Sequence, residues 1–220
     1  MVKIAPSLLS CDFTKMGDEL RDMERIGADW AHLDVMDGHF VTNLTFGLPI
    51  IAALRPVSKI VFDVHLMIES PETYIDRYID AGADVLTVHL EACSDVTAAL
   101  RSIRARGRVS GLSIKPNTPA SAVFPYIAEA DMILVMTVEP GYGGQKLIPS
   151  CLDKIKEIKA YASEKGKSIL VEVDGGINAA NAGEVRAAGA DILVAGSAVF
   201  GSTDRAAAVR ALRSCFLCFI

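Results

Sequence analysis

The stretch Ala81-Gly82-Ala83-Asp84-Val85-Leu86-Thr87-Val88-His89 joins a turn signal to a run of apolar and β-branched residues. Glycine can take the left-handed conformation that closes a helix. An apolar run that does not alternate with polar residues marks a strand buried on both faces, as in a parallel sheet. The same signal recurs as Ile26-Gly27-Ala28-Asp29 and Ala188-Gly189-Ala190-Asp191, each again ahead of an apolar run. Working outward, comparable runs begin near residues 3, 30, 59, 84, 109, 131, 168 and 191, at spacings of 22 to 37 residues. Spacings of that size hold a strand, a crossover helix and two short loops, and eight such units close a barrel. Helical periodicity is visible between the runs, in residues 12–20, 71–75 and 150–155, with Pro71 and Ser150 placed as helix starts. An open doubly wound sheet would need a glycine-rich turn after its first strand, where Ser7-Leu8-Leu9-Ser10 stands instead. The sequence therefore predicts an α/β chain folded as a single (β/α)8 TIM barrel, with residues 1–220 as one catalytic domain.

The 220 residues are 51% apolar and 6% aromatic, with a net charge of −5 and no cluster of Lys or Arg. That balance argues against a nucleic-acid partner, which demands concentrated positive charge, and points to a small molecule. No apolar run is long enough to span a bilayer, so no membrane partner is expected. Met1-Val2-Lys3 leads into the first apolar segment without a secretory h-region, and the expected location is cytoplasmic. Five cysteines in a chain of this size suggest reduced thiols rather than a disulfide framework. Cys215-Phe216-Leu217-Cys218 offers only half a zinc site and is expected to pack as an apolar tail.

In such barrels the C-terminal ends of the strands form the active-site face. His32-Leu33-Asp34, Asp63-Val64-His65 and Val173-Asp174 fall at inferred strand ends, and residues two apart in a strand share a face. Two imidazoles and two carboxylates from separate strands can hold one divalent ion and leave a carboxylate free to move protons. His32, Asp34, His65 and Asp174 make the preferred set. The spacing leaves alternatives open, because His89-Leu90-Glu91 repeats the His-x-acid pattern and Asp63 could instead orient a ligating histidine. Glycine-rich segments, Glu139-Pro140-Gly141-Tyr142-Gly143-Gly144-Gln145, Asp174-Gly175-Gly176 and Ala195-Gly196-Ser197, follow three successive strands. Their backbone N–H groups can approach an anion closely, which favours a phosphorylated substrate. Lys115 also ends a strand and would suit a Schiff-base aldolase, a weaker reading given Pro116 and the metal-ligand set.

Taken together and in order, Pro6-Ser7-Leu8-Leu9-Ser10, His32-Leu33-Asp34-Val35-Met36-Asp37-Gly38, Asp63-Val64-His65-Leu66-Met67, Met136-Thr137-Val138-Glu139-Pro140-Gly141, Gly143-Gly144-Gln145, Glu172-Val173-Asp174-Gly175-Gly176 and Gly196-Ser197 resemble the ribulose-phosphate 3-epimerase family along nearly the whole chain. The resemblance implies one divalent ion, Zn²⁺, Fe²⁺, Mn²⁺ or Co²⁺, on His32, Asp34, His65 and Asp174, with His89 outside the ligand set. It implies Asp34 and Asp174 as the acid/base pair. Ser7, His65, Gly141, Tyr142, Gly143 and Gly144 would contact substrate, and Gly175, Gly176, Gly196 and Ser197 would hold its phosphate. Met36, Met67 and Met136 would form an apolar lining. The implied reaction converts D-ribulose 5-phosphate to D-xylulose 5-phosphate through an enediolate, in the pentose phosphate pathway, by a homo-oligomer. Alternatives are 3-epimerisation of a six-carbon ketose phosphate such as allulose 6-phosphate, or a non-catalytic sugar-phosphate sensor. Thr42, Asn117 and Tyr142 depart from the residues usual in the family, Pro, Gly and Phe, at positions that bear on loop shape.

Overall fold

In the computed structural model, which describes residues 1–214, the apolar runs become β1 (Lys3–Pro6), β2 (Trp30–Met36), β3 (Val61–Met67), β4 (Val85–His89), β5 (Val109–Ile114), β6 (Met132–Met136), β7 (Leu170–Asp174) and β8 (Ile192–Ala195). Each begins within two residues of its predicted position. All pair in parallel in the order β1-β8-β7-β6-β5-β4-β3-β2. A parallel bridge between Ser7 and His32 draws the two edges together, so the sheet closes into a barrel. The helices around it are α1 (Met16–Arg25), α2 (Leu48–Leu54), α3 (Ile75–Ala81), α4 (Val96–Ala105), α5 (Cys151–Glu164), α6 (Ala182–Ala187), α7 (Ser197–Phe200) and α8 (Arg205–Arg213). Among the described residues no helix is long and apolar enough to cross a membrane. The Cys215 and Cys218 pair lies outside the described residues.

Three local expectations differ in detail. The β5–β6 crossover is a 3₁₀ segment, Ala120–Tyr126, with Pro125 inside it; proline lacks the N–H an α-helix needs there. Pro71 opens a short 3₁₀ turn, Pro71–Thr73, ahead of α3 rather than the helix itself. Ser150 precedes α5, but its backbone is already helical (φ −62°, ψ −19°) and its hydroxyl makes no capping bond, whereas a capping side chain usually works from an extended backbone.

The repeated Gly-Ala-Asp signal has two physical roles. Gly27, Gly82 and Gly189 have φ of 83°, 122° and 115°, the region that favours glycine. The aspartates that follow sit at the foot of the barrel and tie neighbouring strands together. Asp29 accepts from the Ile4 N–H at 2.7 Å, Asp84 from the Phe62 N–H at 2.9 Å and Asp191 from the Val171 N–H at 2.8 Å. Each also pairs with a cation: Arg213 for Asp29, Arg55 and Arg108 for Asp84, and Lys159 for Asp191. Asp84→Ala removes one backbone and two guanidinium partners. Hydrogen bonds involving a charged group contribute about 1.5–3 kcal/mol, so the variant should lose about 2–3 kcal/mol in urea unfolding. Its kcat should stay unchanged, because the tie lies at the end of the barrel opposite the strand C-termini.

Alternate strand residues divide the core into two regions. One set, including Leu33, Phe62, Val64, Leu86, Leu112, Ile133 and Val173, packs outward against the helices. The other set faces the barrel axis, where Ala5, Trp30, Val85, Met132, Ile192 and Val194 form a hydrocarbon layer. Two residues further along the strands the interior turns polar, with His32, Asp63, Thr87 and Glu172 fully buried. Strand register aligns His32 with Asp63 and Asp34 with His65. The barrel thus passes from oil-like at its foot to acidic and imidazole-lined toward its mouth.

Candidate active site

β2, β3 and, from across the barrel, β7 deliver four side chains to one point. His32 Nε2, Asp34 Oδ1, His65 Nδ1 and Asp174 Oδ2 present donor atoms that all lie within 4.8 Å of one another. His32 Nε2 is 3.3 Å from Asp34 and 3.9 Å from Asp174, and His65 Nδ1 is 3.5 Å and 4.0 Å from the same carboxylates. Neither nitrogen has a hydrogen-bond partner, although both rings are fully buried. Buried polar atoms are normally paired. Unpaired nitrogens converging with two carboxylate oxygens therefore fit a divalent cation, and the mixed nitrogen and oxygen donors suit a transition metal.

Each element around the cluster is fastened. Asp63 Oδ2 lies 2.5 Å from His32 Nδ1, leaving Nε2 to face the centre. Asp63 is thus the partner that orients His32, one of the two roles its spacing allowed. The Ser7 hydroxyl donates to Asp34 Oδ2. Thr45 Oγ1 donates to the Asp34 carbonyl at 2.6 Å, and Thr137 Oγ1 donates to the Gly175 carbonyl at 2.6 Å, pinning the ends of β2 and the turn after β7. His89 stands outside the converging donors, its Nε2 lying 2.9 Å from His65 Nε2. Burial pushes the His89 ring down to about 4.

The two carboxylates at the centre are driven apart. Burial works against charge on Asp34, but the His32 and His65 imidazoles outweigh it and hold Asp34 well below the usual carboxylate range. Burial followed by the negative charge of Asp34 pushes Asp174 up to about 6. Below them, burial and the neighbouring Asp63 charge raise Glu172 well above its ordinary value, and Glu172 Oε1 lies 3.7 Å from His32 Nδ1. The sequence reading gave Glu172 no role. The signal was present, since Glu172 is two residues before Asp174 and shares its face of β7.

Above the cluster lies a cavity of about 680 Å³ lined by Ser7, Asp34, Asp174, the three methionines Met36, Met67 and Met136, and the glycine-rich loops. Gly141, Tyr142, Gly143, Gly144, Gly175, Gly176, Gly196 and Ser197 all reach it, whereas the fully buried His32 and His65 lie beneath its floor. Gln145 Nε2 donates to the carbonyls of Glu139 and Tyr142 at 2.7 and 2.9 Å, folding the 139–145 loop on itself. Asn43 Nδ2 donates to the Gly141 carbonyl at 3.0 Å, so the loop after β2 braces the loop after β6. Tyr142 is 63% exposed at the rim. Ser10, Asn178 and Asn181 also line the cavity; no spacing rule singled them out. Lys115 does not line it, and its Nζ rests 3.9 Å from the centre of the Phe40 ring.

Fold and site together define a (β/α)8-barrel enzyme with a buried His₂Asp₂ cluster under a glycine-walled cavity. Residues 3–200 match the sequence model of the ribulose-phosphate 3 epimerase family. The ribulose-phosphate 3-epimerase of Bacillus subtilis (strain 168) is 50% identical over 214 residues, covering 97% of this chain and 99% of that one. The Rhodobacter capsulatus ribulose-phosphate 3-epimerase is 50% identical over 199 residues, covering 90% and 86%. The chain belongs to the ribulose-phosphate 3-epimerase family and is an epimerase, in the isomerase class. A crystal structure of 3-hexulose-6-phosphate synthase, 22% identical, superposes with a TM-score of 0.69 over 96% of this chain and 97% of that one, a likeness of fold alone.

Proposed function

We propose that this chain inverts C3 of D-ribulose 5-phosphate to give D-xylulose 5-phosphate, a step of the pentose phosphate pathway, with Asp34 and Asp174 as its two acid/base residues. The observation that carries this reading is geometric: two carboxylates from opposite sides of the barrel, Asp34 and Asp174, meet at one buried centre with two imidazole nitrogens that have no hydrogen-bond partner, and both line the cavity. Their surroundings also differ: burial opposes charge on both, but the neighbouring imidazoles pull Asp34 down, whereas the charge of Asp34 pushes Asp174 further up. The C3 proton is acidic because it is next to the C2 carbonyl. One aspartate removes it from one face, and the other delivers a proton to the opposite face of the planar enediolate. A divalent cation on His32, Asp34, His65 and Asp174 supplies, when bound, Lewis-acid stabilisation of the developing negative charge. Zn²⁺, Fe²⁺, Mn²⁺ and Co²⁺ all suit two imidazoles and two carboxylates.

The remaining roles follow from position. Ser7 holds Asp34 in place through its hydroxyl and faces the substrate, while Met36, Met67 and Met136 give the reacting carbons an apolar surround. Gly175, Gly176, Gly196 and Ser197 bind the phosphate through backbone N–H groups, at the loops after the seventh and eighth strands where barrels often do so. The Gly141, Tyr142, Gly143 and Gly144 loop completes the substrate contacts, whereas His65, expected from the sequence to touch substrate, is buried beneath the cavity floor and serves the cation site. Residues 1–220 are assigned as one catalytic domain. The free thiols Cys11, Cys93 and Cys151 support a cytoplasmic location, and the net charge of −5 supports a small-molecule partner rather than nucleic acid. The homo-oligomer is proposed from the family resemblance alone.

Proton NMR of ribulose 5-phosphate in deuterated water tests the assignment. The purified chain should replace the C3 proton with deuterium as xylulose 5-phosphate appears, and faster than it processes a six-carbon ketose phosphate. Tight binding with no deuterium at C3 would identify a sensor instead.

A further inference from the structure

The His89-x-Glu91 pattern at the end of β4 has no part in the converging cluster, yet it forms a chain leading to it, buried at His65 and His89 and reaching the surface at Glu91. His65 Nε2 lies 2.9 Å from His89 Nε2, and His89 Nδ1 lies 3.2 Å from Glu91 Oε2. The His65 and His89 rings are both fully buried. Two imidazole nitrogens in such contact share one proton, so one ring donates and the other accepts. The far end of the chain decides which. Glu91 Oε1 accepts from the Lys115 N–H at 2.9 Å and from the Thr118 hydroxyl, and an ionised carboxylate can only accept. His89 Nδ1 must then carry the proton it donates to Glu91, leaving His89 Nε2 with its lone pair. His65 Nε2 must donate to that lone pair. His65 Nδ1 is left bare, and it is the nitrogen that faces Asp34 and Asp174 without a hydrogen-bond partner.

We propose that Glu91 and His89 are positioning residues that fix the His65 tautomer, so that Nδ1 is presented as an electron-pair donor to the bound cation. This rests on the reading of His65 as a cation ligand given above. The two histidines of the cluster are then set by opposite means. Asp63 holds His32 directly at Nδ1 and frees Nε2, while Glu91 acts on His65 through an intervening ring and frees Nδ1. Phe40 lies over His89, with ring centroids 4.8 Å apart, and Lys115 Nζ lies over Phe40, so the His89 ring is covered on that side.

Glu91→Gln tests the relay because it keeps the shape and reverses one group. The amide oxygen remains committed to the Lys115 N–H and the Thr118 hydroxyl, which turns the amide NH₂ toward His89 Nδ1. His89 must then protonate at Nε2 and donate to His65 Nε2, which drives the His65 proton onto Nδ1, where it blocks the cation. Long-range ¹H–¹⁵N spectra of the metal-stripped full chain should show Nε2–H on His65 and Nδ1–H on His89, with the opposite tautomers in Glu91→Gln. Zn²⁺ affinity, measured by competition with a chromophoric chelator, should fall about 10–100-fold in the variant, with kcat recovering at excess Zn²⁺. A folded variant that matches the native chain in Zn²⁺ affinity overturns the relay, as does an Nδ1–H tautomer of His65 in the native chain. If the variant does not fold, the native spectrum alone decides. A native chain that binds no Zn²⁺ would refute the ligand assignment rather than the relay.

Discussion

Asp174→Asn is expected to lower epimerisation by at least ~10²–10⁴-fold, the usual contribution of a general acid or base, while leaving a slow exchange of the C3 proton with solvent. Asparagine keeps the shape of the side chain and its place at the cavity wall but can neither take nor deliver the proton. Asp34 is untouched, and its carboxylate still lines the cavity. It can therefore still remove and return the C3 proton of the epimer that presents that proton to its own face. In deuterated water, one epimer should incorporate label at C3 without inverting, and the other should be inert. Because Asp174 also belongs to the proposed cation site, turnover should be expressed per bound metal, which separates loss of the acid from loss of the ion. A variant that inverts C3 at the native rate per metal would end the two-acid scheme.

Gly176→Ala should damage both stability and substrate binding. Gly176 has φ of 70°, and a Cβ there would lie 2.3 Å from the Leu147 backbone nitrogen and 2.8 Å from the Gln145 carbonyl oxygen. Backbone cannot swing aside as a flexible side chain can, so either the turn after β7 or the 145–147 segment must move. A non-glycine residue in left-handed geometry costs about 1–3 kcal/mol before any clash is counted. A total loss of at least 2 kcal/mol, roughly 4–8 °C in Tm for a chain of this length, is the expected outcome. Both segments line the cavity, so KM should rise about tenfold or more, as for ~1.4 kcal/mol of lost binding. Thermal melting and steady-state kinetics check the two halves. Native Tm and KM together would show that the two segments are not in contact.

The barrel was legible because its strands are short apolar runs behind a recurring turn signal, and parallel strands buried on both faces give that pattern plainly. The crossover between β5 and β6 was not, because periodicity cannot weigh a proline at position 125 against neighbouring packing. Ser150 shows the same limit, since its residue type favours capping while its backbone geometry prevents it. In the site, the period of two placed His32 with Asp34 and Asp63 with His65, but could not say which nitrogen or oxygen would turn toward which neighbour. That depends on contacts between strands, such as Asp63 with His32 and His89 with His65, whose partners lie 31 and 24 residues apart in the chain. Glu172 was missed although the same period marks it, because an acid inside a barrel draws attention only once its neighbours are also known to be acids.

The carboxylate ties beneath the sheet bear on how such a molecule can change over time. Neighbouring strands are tied at the base by Asp29, Asp84 and Asp191, Asp29 doing so across the β1–β2 seam, far from the loops that line the cavity. Insertions or exchanges at the rim therefore need not compromise the scaffold, and new substrates can be explored by redrawing the upper connections alone. The division of labour gives a protein engineer a fixed chassis, on which foreign connections could be grafted between strands while the clasps underneath stay as they are.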